Sequence, residues 1–328
     1  MLSPSRMTKG NKMDKDIRKK LGAIDLSKRF KKLSKYCVST GIIAFDRVIG
    51  GGIPSGRLTE FYGGESTAKS RLVNHILAET QKVGGVGILV DTERALDEGL
   101  IALTGVDPEK LIYPDPEKIE TIEDVFNLLD EAIKAIRPQY PDAPVTFVWD
   151  SVAATPGMED MEKEIGRNEA SMRRAKIIGD GLRKFIPVVY KNQICLVFVN
   201  QIRDKINVMY GDQTDTPGGR AIKFWASLRL GMKITGKIKD ETTKEQIGTK
   251  LELFVRKSKV SKPFGVVNFE MYVDEPISPY AGLLDYMKRH GEVKYLGAGK
   301  YCFVGNEKET FTKAEFSKAY EKRQKGDK

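Results

Sequence analysis

The stretch LTEFYGGESTAKSRL, residues 58–72, decides how this chain folds. It starts with a short apolar, β-prone run from Leu58 to Tyr62, and a helical pattern follows its end. Between the two lies a loop of small residues that closes on Lys69 and Ser70. Successive backbone N–H groups at such a helix N-terminus form a concave anion site, and the helix dipole favours negative charge there. The order strand, loop and helix is typical of a phosphate-binding P-loop.

The loop predicts an ATP site with a magnesium ion. Lys69 would reach the β- and γ-phosphates, and Ser70 would hold Mg²⁺. The general pattern has glycine where this chain has Ala68, because glycine adopts a positive φ without strain. A working loop and a decayed or coincidental loop are therefore both open interpretations. The residues predicted to contact the nucleotide are Gly63, Gly64, Glu65, Ser66, Thr67, Ala68, Lys69, Ser70 and Arg71.

Composition narrows the class of protein. The 328 residues, 40% hydrophobic and 30% charged, allow one large core with accessory pieces, or two domains. A net charge of +10 favours a polyanionic partner, with a solvated basic surface as the alternative. The three cysteines are widely spaced without a CxxC, which argues against a disulfide scaffold or a zinc site. No apolar run approaches the roughly 18 residues of a membrane span, so we expect no membrane partner and a cytoplasmic protein.

The order of segments predicts three parts. Residues 1–36 form a basic arm whose apolar residues recur at helical intervals. A lone amphipathic helix cannot bury its own face, so this arm should dock on the body, a neighbouring subunit or nucleic acid, unless it is simply mobile. Residues 37–275 form the core. Residues 276–328 form a small C-terminal module with short helices.

The core has the pattern of an α/β fold. Apolar strands at 86–91, 145–150 and 194–199 alternate with helices at 121–136 and 171–190. This alternation predicts a mostly parallel central sheet with helices on both faces and right-handed crossovers. The later apolar segments, at 224–234, 251–255 and 266–273, lack long helices between them and predict an antiparallel extension of the sheet.

Four polar or loop residues follow predicted strands. Gly63, Glu93, Asp150 and Gln201 each lie at or just after the carboxyl end of a strand. Ligands of such sheets bind at the carboxyl ends, so one cleft could gather all four residues.

Six segments resemble RecA-type homologous recombinases, in the same order, from about Ser39 to Val273. The segments are STGIIAFD, GGGIPSGRLTEFYGGESTAKS, VDTERALD, DSVAATPG, NQIRDKINVMYGDQTDTPGGRAIKFWASLRL and VRKSKVSKPF. Ala-Lys-Ser in the loop and the ending ISPYAGLLDYM look closer to phage recombinases of the UvsX kind. The resemblance implies a RecA-like P-loop ATPase core.

The resemblance also implies roles in ATP hydrolysis. Asp150 would hold the water shell of Mg²⁺, or it could merely cap the next turn. Glu93 would orient the attacking water, with a surface salt bridge as the alternative. Gln201 would sense the γ-phosphate, or serve as a structural amide. Asp97 lies where the family contacts adenine, although the family's stacking tyrosine is replaced by Leu100.

Further lysines are implied to act across a subunit interface. Lys257 and Lys259 resemble paired lysines that reach the neighbour's ATP, with an exposed basic edge strand as the alternative. Lys223 and Phe224 resemble residues of the family's subunit interface. We also predict that Phe30 lies at this interface.

Two loops are implied to meet DNA. The first, residues 155–167, contributes Gly157, Met158 and Arg167. The second, residues 203–219, contributes Arg203 and Lys205 as phosphate contacts, and Ile206, Val208 and Met209 as apolar wedges between bases, unless these three face the core. The residues that complete the predicted DNA set are Gly218, Gly219 and Arg220. Basic residues from Arg173 to Lys184 add a basic helix face behind the first loop.

The resemblance therefore implies an ATP-dependent strand-exchange recombinase that forms helical filaments on single-stranded DNA and samples double-stranded DNA. Its cofactors would be ATP and Mg²⁺, with single-strand-binding and loader proteins as further partners. It would act in the cytoplasm of a bacterial cell or a phage-infected host. The alternatives are a ring helicase or other motor on the same core, and a DNA-binding accessory subunit that does not hydrolyse ATP.

Overall fold

A mixed, eight-stranded sheet forms the centre of the computed structural model, which describes residue 20 and residues 35–161, 170–204 and 214–326. The strands in chain order are β1 (Cys37–Val38), β2 (Ile53–Pro54), β3 (Arg57–Gly63), β4 (Val86–Asp91), β5 (Leu111–Ile112), β6 (Val145–Asp150), β7 (Ile194–Gln201), β8 (Arg203–Asp204), β9 (Thr214–Asp215), β10 (Leu228–Lys239), β11 (Gln246–Ser258), β12 (Val266–Tyr272), β13 (Val293–Gly297), β14 (Lys300–Phe303) and β15 (Asn306–Thr312). The described helices are α1 (Ile43–Ile49), α2 (Lys69–Lys82), α3 (Glu98–Thr104), α4 (Ile122–Gln139), α5 (Met158–Met161), α6 (Ala170–Asn192), α7 (Gly219–Trp225), α8 (Leu283–Arg289) and α9 (Phe316–Gly326).

The central sheet has the order β12-β11-β10-β3-β7-β6-β4-β5. The strands from β10 to β5 run parallel to one another, while β11 and β12 are antiparallel to their neighbours. The predicted α/β fold, with a mostly parallel sheet and an antiparallel extension, is confirmed.

Both faces of the parallel strands are buried, which explains their continuous apolar runs. Every residue of β6 is buried. On one face, Leu72 and Ile76 of α2 pack in a cluster with Val148. On the other face, Val125 of α4 and Leu182 of α6 pack in a second cluster. Helices therefore cover both faces of the sheet, as the alternation of segments predicts.

The start of α4 is capped by its own side chains. The Thr121 hydroxyl accepts a hydrogen bond from the Asp124 N–H, and the Asp124 carboxylate accepts from the Thr121 N–H, which is a complete capping box.

The strand expected to begin at Phe224 begins at Leu228 instead, so this boundary was wrong. Gly218 and Gly219 have positive φ values of 89° and 64°, and they turn the chain into α7. Burial of Ile222 fixes this short helix against the second cluster. Phe224 therefore lies on a helix and is exposed.

The C-terminal module contains a sheet that the sequence did not reveal. Strands β13, β14 and β15 form an antiparallel sheet of three strands beside α8 and α9. Phe303, Phe311 and Phe316 are buried in the same cluster as Leu72, and residues 36–328 form one compact unit. Apart from Lys20, the predicted N-terminal helix and Phe30 lie outside the described residues. In the described ranges, no helix is long and apolar enough to cross a membrane.

Close packing of α6 on α4 makes one glycine critical. A Cβ atom at Gly181 would lie 2.2 Å from a ring carbon of Phe126. That ring cannot turn aside easily, because it stacks on Phe185 and meets Trp149 edge to face. We expect Gly181→Ala to lower the free energy of unfolding by about 1–3 kcal/mol in urea titrations.

Gly179 on the same helix provides the control, since a Cβ atom there would make an ordinary contact at 3.6 Å with Ala221. Gly179→Ala should be neutral or stabilising by up to about 1 kcal/mol, because alanine favours the helix. Equal effects of the two substitutions would contradict this account of the packing.

Candidate functional site

The carboxyl ends of β3, β4, β6 and β7 meet at one edge of the sheet. Gly63 at the end of β3 pairs with Gln201 on β7, and Asp91 at the end of β4 pairs with Asp150 on β6. Glu93 lies two residues after the end of β4, and its Oε1 accepts hydrogen bonds from the Ser151 hydroxyl and from Gln201 Nε2, the latter at 3.1 Å. The structure thus brings the predicted strand-end residues into one cleft.

The loop from Gly63 to Ala68 leads directly into α2, which begins at Lys69. No side chain caps the start of this helix, and its first turn carries no acidic residue. These features leave a helix N-terminus suited to an external anion. Lys69 curls over the loop, and its Nζ donates to the carbonyls of Gly63 and Gly64 at 3.2 and 2.6 Å. Burial lowers the pKa of Lys69, although the carboxylates of Asp150, Glu93 and Glu65 oppose the shift.

A small pocket beside Lys69 is lined largely by polar side chains. Its polar lining includes Ser70, Asn74, Asp91, Glu93 and Asp150. Among the described residues, no partner reaches the buried Oδ1 of Asn74. Such an acceptor is satisfied in proteins by a donor such as bound water.

The carboxylates of the pocket influence one another. Burial raises the pKa of Asp150 to about 7, a hydrogen bond from Ser70 opposes the rise, and the carboxylates of Glu93 and Asp91 add to it. A cation next to Asp150 would favour its ionised form. Mg²⁺ is commonly held by one or two protein oxygens together with phosphate and water. Ser70 and Asp150 are therefore suited to hold the ion, which would offset the phosphate charge of the nucleotide.

Ala68 adopts the conformation that the general pattern assigns to glycine. Its φ and ψ are 66° and 18°, in the left-handed region. An alanine there is strained by roughly 1–2 kcal/mol. The loop therefore keeps its bend without glycine, at a cost in stability.

We expect Ala68→Gly to raise the free energy of unfolding by up to about 1 kcal/mol, because relief of the strain outweighs the greater freedom of glycine in the unfolded chain. Urea titrations measure the change. Ala78→Gly, in the interior of α2, is the control and should lower the free energy of unfolding by about 1 kcal/mol or more. A loss of stability at Ala68 as large as at Ala78 would disprove the strain.

Two residues predicted to contact the nucleotide have other partners within the described structure. The Asp97 carboxylate caps α3 by accepting from the Leu100 N–H at 2.7 Å. The Arg71 guanidinium donates to the carbonyls of Tyr272 and Val273, both at 2.7 Å, and so ties α2 to the end of β12. Their contacts with ATP stay predictions.

The paired lysines lie near Phe224. Lys257 Nζ donates to the carbonyls of Lys223 and Phe224 at 2.6 and 2.9 Å, and Lys259 Nζ lies 5.9 Å from the centre of the Phe224 ring. Burial lowers the pKa of Lys257 to about 8, and Lys259 and Arg229 add to the effect. Lys257 is partly buried, whereas Lys259 is exposed. The pairing of β12 with β11 ends at Phe254, so β12 does not cover this end of β11, and the alternative of a basic edge strand stays open.

The register places these lysines away from the phosphate loop of their own subunit. Lys257 pairs with Arg229, which pairs with Glu60 on β3. Three residues of strand, about 10 Å, separate Glu60 from Gly63, and β10 lies between β11 and β3. This separation is consistent with a role at another subunit's nucleotide.

The first predicted DNA loop is described as far as Met161. Gly157, at the start of this loop, is buried. Helix α5 follows it directly, and Met158 on that helix is exposed. Asp160 accepts a hydrogen bond from Arg173 at 2.9 Å, and Arg174 Nε lies 3.9 Å from it. The acidic loop thus offsets part of the basic face of α6. Arg167 lies outside the described residues.

The second predicted DNA loop leaves the sheet as a short ribbon, although the sequence shows no regular pattern there. Arg203 and Asp204 pair with Asp215 and Thr214. At its far end, Gly218 and Gly219 start α7, and Arg220 on that helix is exposed. The remaining residues of the predicted DNA set, Lys205, Ile206, Val208 and Met209, lie outside the described residues.

Sequence reasoning missed several polar residues. One of them is Asp91, whose carboxylate accepts hydrogen bonds from the N–H groups of Glu93, Ala95 and Leu96. These bonds fix the turn that follows β4. Asp91 ends a strand with a carboxylate, as Asp150 does, and this signal could have identified it. Glu60 and Arg229 also escaped notice, although a charged residue inside an apolar strand implies a buried partner.

Comparisons with known proteins agree with this geometry. A family profile described as the RecA N-terminal domain matches residues 11–278. Protein RecA of Chloroherpeton thalassium is 37% identical over 262 residues, which cover 80% of this chain and 70% of that protein. Protein RecA of Rhodopirellula baltica is 34% identical over 281 residues, covering 82% and 72%. Protein RecA of Heliobacterium modesticaldum is 36% identical over 276 residues, covering 84% and 76%.

Each of these relatives is named Protein RecA, and the likeness of this chain to phage recombinases stays a prediction. The predicted kinship with RecA-type recombinases is confirmed. The chain belongs to the RecA family of recombinases.

Proposed function

We propose that this protein is an ATP-dependent DNA strand-exchange recombinase that forms helical filaments on single-stranded DNA. One contact carries the proposal: the Gln201 side chain donates to Glu93 at the ATP edge of the sheet. Gln201 also stands directly before the ribbon of the second DNA loop. The same strand end therefore touches the hydrolytic carboxylate and begins the DNA-binding segment.

Each residue of the cleft has a distinct task in hydrolysis. The N–H groups at the start of α2 and the Lys69 ammonium would bind the phosphates. Ser70 and Asp150 would hold Mg²⁺. Glu93 would orient the attacking water, with its own orientation fixed by the Ser151 hydroxyl. Gln201 would exchange its bond to Glu93 for one to the γ-phosphate and thereby move the following loop.

Lys257 and Lys259 of one subunit would complete the site of the next subunit. A cation supplied across an interface in this way stabilises charge on the transferred phosphoryl group. The head-to-tail contact that this requires does not close on itself and so builds a filament. Contacts to the DNA backbone would give binding without sequence preference, and base pairing would supply specificity. Single-strand-binding and loader proteins would act with the filament in the cytoplasm.

The decisive experiment combines three measurements on the full chain. ATP turnover is measured with and without single-stranded DNA, strand exchange is measured with homologous duplex DNA, and assemblies are imaged with a slowly hydrolysed ATP analogue. We expect DNA-stimulated turnover, strand exchange and open helical filaments. Closed hexamers that unwind DNA would favour a ring helicase, and turnover without DNA stimulation or strand exchange would favour an accessory subunit.

A further inference from the structure

A buried ion pair lies at the centre of the sheet, outside the cleft described above. Glu60 on β3 is completely buried, and Arg229 on the adjacent β10 is 8% exposed. Arg229 Nε donates to Glu60 Oε2, and the guanidinium lies over the Tyr62 ring, 4.7 Å from its centre. Each charge therefore has its partner inside the sheet.

The second oxygen of Glu60 holds a side chain of the next strand. Glu60 Oε1 accepts a hydrogen bond from Asn200 Nδ2 at 3.1 Å. The same amide nitrogen donates to the Pro217 carbonyl at 2.9 Å. Asn200 is completely buried, and its bond to Glu60 forms away from solvent, where a bond to a charged group is strong.

These bonds close the base of the second DNA loop. Asn200 stands just before the ribbon formed by β8 and β9, and Pro217 stands just after it. On the entering side, the Ile202 N–H donates to the Gly63 carbonyl of the phosphate loop at 3.3 Å. The segment that leaves the sheet at Gln201 is therefore fastened at its start to the phosphate loop, and at its end to Asn200.

The same pair also faces the interface lysines. Lys257 pairs with Arg229 across β10 and β11, and it donates to the carbonyls at the end of α7. One cluster thus touches the strand that carries the sensor Gln201, the end of the DNA loop and the lysine that acts on the neighbouring nucleotide.

We propose that the Glu60–Arg229 pair, acting through Asn200, is a positioning device that transmits the state of the nucleotide cleft to the second DNA loop. Glu60 fixes the Asn200 amide, and Asn200 fixes the distance between Gln201 and Pro217. A displacement of Gln201 therefore moves the second DNA loop as well, because Asn200 holds both ends of the loop in a fixed position. The proposal rests on the proposed function, since it takes Gln201 to respond to the nucleotide and residues 203–219 to bind DNA.

Asn200→Leu tests the device, because leucine has the branched shape of asparagine, although its side chain is larger, and makes none of the hydrogen bonds of the amide. Glu60 keeps Arg229 as its partner in this variant. Two quantities are measured: hydrogen exchange of the backbone amides in residues 214–219, and the ratio of ATP turnover with and without single-stranded DNA. We expect faster exchange in that segment and a stimulation ratio about tenfold lower, with turnover in the absence of DNA within about twofold of wild type.

Asn192→Leu is the matched control. Its side-chain amide donates to the Val188 carbonyl at the end of α6, and its removal should change neither quantity. Asn200→Ala supplies the same test if leucine prevents folding, since alanine also removes the side-chain hydrogen bonds and is smaller than asparagine.

The two measurements separate the inference from the proposed function. Unchanged exchange in residues 214–219 would overturn the anchoring role, whatever DNA does. Faster exchange with an unchanged stimulation ratio would show that the anchor does not transmit, and it would overturn the positioning role. A wild-type protein that DNA does not stimulate would instead reject the proposed function, and the exchange measurement would still decide whether Asn200 holds the loop.

Discussion

Replacing Lys69 by alanine is expected to lower DNA-stimulated ATP turnover by at least about 100-fold, the size of effect seen when one preorganised charge-stabilising group is removed. The Lys69 side chain is the positive charge placed directly over the phosphate loop, where its Nζ meets the carbonyls of Gly63 and Gly64 and the Thr67 hydroxyl. Phosphate would replace the carbonyls as its partner. Alanine would leave the phosphates without this positive charge.

Lys82 offers the matched control at the other end of α2. Its ammonium is exposed and pairs with Glu79 one turn earlier at 2.6 Å. Surface pairs of this kind contribute little to stability, so Lys82→Ala should retain turnover and fold. Circular dichroism and nucleotide binding accompany the rate measurement. Wild-type turnover in Lys69→Ala would reject the site, and an unfolded variant would show in the circular dichroism.

The central strands were predictable because a strand that is buried on both faces appears in the sequence as a continuous apolar run. All six residues of β6 are buried, so Val145 to Asp150 reads as a continuous apolar run that ends in a carboxylate. The cap at Thr121 is likewise a local feature, since both of its partners lie within one helical turn. Local patterns of this kind also placed the residues of the cleft on the same edge of the sheet.

Features that depend on distant partners could not be read in the same way. Glu60 and Arg229 are 169 residues apart, and only the pairing of β3 with β10 brings them together. The C-terminal strands escaped notice because most of β15 is exposed and shows no apolar alternation. Phe224 was assigned to a strand because its apolar neighbours outweighed the two glycines that start α7. In each case tertiary packing, rather than local pattern, decided the outcome.

The Lys257→Ala, Lys259→Ala double variant is expected to lose about 1,000-fold or more of DNA-stimulated turnover, the effect of removing a cation that acts across an interface. Lys257 now binds the last carbonyls of α7, so in the filament it would exchange these partners for the phosphate of the adjoining subunit. Lys250 on the same strand is the control, because its ammonium is exposed and lies 3.9 Å from Glu270. Lys250→Ala should keep wild-type turnover.

A mixing experiment distinguishes action on a neighbour from action within one subunit. The double lysine variant retains its phosphate loop, whereas Lys69→Ala retains Lys257 and Lys259. In filaments assembled from equal amounts of the two, about a quarter of the interfaces would join an intact loop to intact lysines, if neighbours are arranged at random around a head-to-tail contact. Turnover should therefore rise from near zero towards about a quarter of the wild-type rate, since neither variant is active alone. Lysines that served their own subunit would give no recovery at any ratio, because no single chain in the mixture would carry a complete site.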